Sequence, residues 1–123
     1  MKHLFVPYEL AVKLKEKGFD EECLGYFDVD KGYTLGYYLC YREESFNSFL
    51  SEGIAAPLYQ QVLDWLREKH DIHIELPTGG HPKKYYVFVH KMDGGWIYEG
   101  NNQKEFDYYD GLEAGINEAL KLI

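Results

Sequence analysis

Five residues in and around 70–75 have the side chains that metal or acid–base chemistry needs. His70, His73 and Glu75 stand close together, with His81 and His90 further along the chain. Imidazole and carboxylate are good zinc ligands. The spacing matches no known ligand motif, and the residues divide between a helix end and a strand face. They read as polar groups on a half-exposed strand, and no metal ligand is assigned. Cys23 and Cys40 are the only two cysteines. Neither sits in a motif with a histidine, and Leu39-Cys40-Tyr41 reads as a buried strand thiol. The carboxylates are many and scattered, so no acid–base pair stands out. The residues point away from an enzyme without excluding one, and they call for no cofactor.

The elements that must position these groups are organised around residues 56–76. Pro57 suits a first helical position. Leu58, Val62, Trp65, Leu66 and Lys69 recur along one side of a 3.6-residue period, which predicts a helix over 57–70. From Asp71 the period changes to two. Ile72, Ile74 and Leu76 point one way, His73 and Glu75 the other, and Pro77 ends the run. Helix and strand, about one residue apart, must pack as a unit.

Earlier in the chain, 7–17 reads as a helix with Leu10, Ala11 and Leu14 on one stripe. Gly18 supplies a left-handed stop, and Phe19 is placed for the contact that accompanies such caps. Leu24–Asp28 and Tyr33–Tyr41 are aromatic and β-prone around the turn Val29-Asp30-Lys31-Gly32, which predicts a hairpin. Asp28–Gly32 looks briefly like the start of a calcium loop but lacks its ligand spacing and closing glutamate. Residues 42–53 read as a loop with some helical turn.

Later, Thr78-Gly79-Gly80 lacks the spacing and the following helix of a phosphate loop. Lys84–Lys91 is apolar on both faces at 85–89, which predicts a central strand. Asp93-Gly94-Gly95 signals a hairpin turn into a strand over 96–99, and 105–109 reads as a weaker strand. The last helix is expected over 110–122, capped by Asp110 with Glu113 three residues on. Leu112, Ile116, Ala119, Leu120 and Ile123 form its apolar stripe. The fold expected is α+β: one domain over 1–123, a mostly antiparallel sheet of four to six strands and about three helices.

Composition narrows the function classes. The chain has 123 residues, of which 46% are hydrophobic and 28% charged, ordinary values for a folded domain. Its net charge of −8 disfavours a nucleic-acid backbone or an anionic membrane, because neither half carries a basic excess. Leaving aside the weaker fourth strand expected over 105–109, the helix, three strands and helix from 57 onward follow the order of double-stranded-RNA-binding domains, an order also common by chance. In that family lysines at the start of the final helix contact phosphate. Asp110 and Glu113 stand there in this chain and would repel it. The acidity also suits mimicry of nucleic-acid charge, although solubility alone accounts for it. No apolar run approaches a membrane span, the N-terminus does not read as a signal peptide, and two unpatterned thiols suit a reducing cytoplasm.

The excess in the composition is aromatic: 12 Tyr, 7 Phe and 2 Trp. Tyr26, Tyr33, Tyr37, Tyr38 and Tyr41 exceed what one core face needs, and tyrosine is enriched at protein interfaces. They form the candidate interaction surface, with packing beneath the 42–55 segment as the competing account. The partner expected is another protein. A sheet edge also leaves a homodimer open.

Residues 14–27, residues 55–70 and the closing Leu112–Leu122 resemble, in the same order, small uncharacterised proteins of gut Bacteroidetes and their phages and integrated elements. The resemblance implies a bacterial cytoplasm and a mobile-element origin. It carries no activity and no site residue.

Overall fold

The computed structural model describes residues 2–28, 32–37, 54–81, 84–92, 95–99 and 105–123. The chain forms two compact units, 1–61 and 62–123, which divide within the middle helix. The class is α+β, with three α-helices and two antiparallel sheets among the described residues. Each sheet has three strands, in place of the single sheet of four to six expected from sequence.

In the first unit a 3-10 turn (Lys2–Leu4) leads to helix α1 (Tyr8–Glu16). Strand β1 (Gly25–Asp28) lies between β2 (Thr34–Tyr37) and β3 (Ile54–Ala56), antiparallel to both. Helix α1 ends as its sequence requires. Gly18 takes φ 95°, its N–H donates to the Lys15 carbonyl, and the Phe19 N–H donates to the Leu14 carbonyl. This two-bond arrangement satisfies carbonyls left open at the helix end, and Phe19 and Leu14 are both buried. Leu10, Leu14, Val6, Phe27 and Ala56 are among the core residues of this unit.

Helix α2 (Tyr59–His70) begins two residues after Pro57. Pro57 and Leu58 are engaged elsewhere: the Pro57 carbonyl accepts from the Val6 N–H, and Leu58 bridges Phe5. Strand β3, Ile54–Ala56, is short and feeds this crossing at once.

In the second unit α2 ends at His70, and Asp71 alone separates it from β4 (Ile72–Glu75). Asp71 turns the chain at φ 54°, a left-handed conformation that Asp tolerates better than most residues. Its carbonyl accepts the Met92 N–H, which ties the turn to the end of the neighbouring strand. Strand β5 (Phe88–Lys91) lies between β4 and β6 (Gly95–Glu99), the central place its two apolar faces predicted.

Strand β5 is nonetheless shorter than the expected 84–91. Tyr85 makes isolated bridges to Thr78 and Phe106 instead of continuing the ladder. The segment expected as a strand over 105–109 contributes only that bridge at Phe106, and helix α3 (Tyr108–Leu120) starts two residues later. Asp107, not Asp110, caps it. The Asp107 carboxylate accepts the Asp110 N–H at 2.9 Å, so Asp110 already lies inside the first turn.

Helix α3 packs on β4 and β5. Leu112, Ile116, Ala119 and Leu120 are buried, as the stripe predicts, together with Gly111 and Gly115, whereas Ile123, its expected last member, lies past the helix end and is only half-buried. Among the described residues no polar or charged residue is fully buried. None of the described helices is long and apolar enough to cross a membrane.

Candidate functional site

The tyrosine-rich hairpin is built on the pairing of β1 with β2, in which Gly25, Tyr26, Phe27 and Asp28 stand opposite Tyr37, Gly36, Leu35 and Thr34. Alternation along β1 sends Gly25 and Phe27 to the buried side and leaves Tyr26 and Asp28 partly exposed. Tyr26 lies across its partner Gly36. A Cβ on Gly36 would stand 2.5 Å from the Tyr26 ring, so only glycine leaves room for that ring. Tyr26 is thus committed to covering its own strand pair.

Tyr33 is placed differently. It follows Gly32, and both residues take left-handed backbone angles, φ 70° for Gly32 and 64° for Tyr33. Glycine adopts that region freely, whereas a bulky aromatic residue does so at a cost of about 1–2 kcal/mol. The Tyr33 N–H donates to the Asp28 carbonyl at 2.9 Å and closes the loop. Its ring rests against Tyr8 of α1 at 4.5 Å between centroids, and the residue as a whole is 51% exposed. Tyr8 in turn meets the buried Phe27 edge-on at 5.5 Å. The result is a chain of three rings in edge-on and tilted contact, Phe27–Tyr8–Tyr33, running from core to surface. Tyr8 is the member that hairpin reasoning missed, because it comes from the first helix.

Of the five tyrosines expected to form a surface, Tyr26 and Tyr33 share the hairpin in this way. Tyr38 and Tyr41 lie outside the described residues, as do the 42–53 segment, Cys40 and Asp93-Gly94. Tyr37 is placed only by its backbone, in register with Gly25.

The other sequence candidates separate. His70 packs its ring edge-on to Trp65 at 4.6 Å, and His81 is exposed in the loop after Gly80. His73 and His90 form a cross-strand pair between β4 and β5, and paired residues project on the same side of the sheet. Glu75 shares that side. One of its oxygens is 3.5 Å from His73 Nε2, and the other is 3.5 Å from His90 Nε2. Two imidazoles therefore flank one carboxylate. Among the described residues no group of three or more His, Cys, Asp or Glu side chains could hold a metal ion. In the sequence His90 stands far from His73, no nearer a role than His81; cross-strand register alone decides which residue faces His73.

Cys23 is buried, and its thiol points to the Glu21 carbonyl at 3.4 Å. Burial pushes the thiol up to about 12, and the negative charge of Glu21 adds to the effect. A contact from the Gln61 side chain pulls the other way. Gln61 also donates to the Glu22 carbonyl at 2.6 Å, so it ties the start of α2 to the 20–23 segment. A thiol in this state is a poor nucleophile.

No family model, curated protein or solved structure matches the chain. Within the described part of the hairpin, the Tyr33 end of the Phe27–Tyr8–Tyr33 chain of rings is the exposed one.

Proposed function

We propose that this chain is a non-catalytic accessory protein that binds another protein through the hairpin surface at Tyr33. One observation carries the reading: Tyr33 holds a left-handed backbone angle that glycine would hold without steric cost, and the residue is half exposed to solvent. Strain kept at an exposed position favours a role for the side chain itself. Tyrosine brings a large rigid contact area with little rotamer entropy to lose, and Tyr8 fixes the ring from behind. A net charge of −8 supports a partner with a basic surface. The resemblance to small proteins of gut Bacteroidetes and their phages supports a bacterial cytoplasm and a mobile-element origin.

The test is capture of partners from a Bacteroidetes lysate by the tagged protein and its Tyr33→Gly variant, with and without nuclease. A protein retained in near-equal amount by the wild type, insensitive to nuclease and lost with Tyr33→Gly, supports the reading. Equal retention by the folded variant removes the hairpin surface from it, and material released by nuclease overturns the protein-partner reading.

A second reading has its own observation. From 59 onward the elements run helix, three antiparallel strands, helix, the order of double-stranded-RNA-binding domains, with the final helix on the sheet. The start of that helix carries Asp107 and Asp110, and Glu113 follows a turn on, where phosphate contact would need cations. Titration with a double-stranded RNA at low salt decides it. A salt-sensitive shift favours this reading, and no shift leaves the order of elements as architecture alone.

A further inference from the structure

We draw no further inference here: the strongest candidate, the His73–Glu75–His90 cluster on β4 and β5, sets its two imidazoles 3.5 Å from separate oxygens of one carboxylate, and because no group of three or more His, Cys, Asp or Glu side chains among the described residues could hold a metal ion, nothing in the structure names a ligand for it.

Discussion

Gly115 of α3 and Ile74 of β4 approach so closely that a Cβ on the glycine would stand 2.8 Å from Ile74 Cγ2. Val87 Cγ1 would be 3.1 Å away on another side. The helix can lie on β4 and β5 at this depth only because position 115 has no side chain.

Gly115→Ala tests that contact. Alanine in a helix interior is worth about 1 kcal/mol over glycine. Overpacking against a branched methyl with little room to move costs about 1–3 kcal/mol. The clash outweighs the propensity gain, and a net loss of up to about 2 kcal/mol is expected in urea unfolding. Gly111→Ala makes the contrast: its Cβ would meet Leu76 Cδ2 at 2.9 Å, the far end of a flexible side chain. That variant is expected to lie within about 1 kcal/mol of wild type. Equal losses at the two positions would overturn the argument from the β4 contact.

The helices were the most legible part of the chain, because periodicity and end signals agree in them. Gly18 and Phe19 announced the end of α1, and the structure makes the two hydrogen bonds they imply. Boundaries that depend on distant partners were not legible. Pro57 looks like a helix start until Val6 claims its carbonyl. Asp110 looks like a cap until Asp107 accepts its N–H. Strand β3, Ile54-Ala55-Ala56, has no alternation of its own and becomes a strand by pairing with β1. At the candidate site, Tyr33 was visible by type, but its strained backbone and its support from Tyr8 follow only from tertiary structure.

Asp107 is expected to matter through its carboxylate oxygen rather than its charge. Asp107→Ala leaves the Asp110 N–H without its side-chain acceptor and should cost about 1 kcal/mol. Asp107→Asn keeps an acceptor and removes a like charge from Asp110, whose carboxyl is held above its ordinary value by a hydrogen bond with Asp107, then by burial and by that charge. The asparagine variant should therefore lose less than the alanine variant near pH 7, as thermal unfolding of both would show. A loss as large with asparagine would mean that the negative charge at the helix start carries the effect.

Cys23 gives a pH dependence with a definite sign. Its folded value, about 12, lies above the ordinary 9.0, so folding favours the neutral thiol. The stability it contributes is fully present below pH 9 and is lost as pH rises from there toward 12. In a Cys40→Ser background, the native protein at pH 8 should react with a thiol reagent far more slowly than the unfolded chain. Replacing Cys23 as well, with Ala, should flatten the fall in stability between pH 9 and 11 relative to that background. Fast native-state labelling, or an unchanged fall, would contradict a buried and charge-opposed thiol.

Tyr33→Gly separates the strain at this position from the use of the ring. Glycine removes the left-handed cost of about 1–2 kcal/mol and forfeits the contact with Tyr8, worth about 0.5–1.5 kcal/mol. The two nearly cancel, so the variant should unfold within about 1 kcal/mol of wild type. Tyr33→Ala keeps the strain, loses the ring, and should be less stable than the glycine variant. Both should lose the partner to the same extent, because the exposed aromatic surface is gone from each. If retention instead followed stability across the pair, the residue would act by shaping the hairpin loop. If neither variant lost the partner, the strain at Tyr33 would serve the Tyr8 contact alone, and the binding surface would have to be sought elsewhere on the chain.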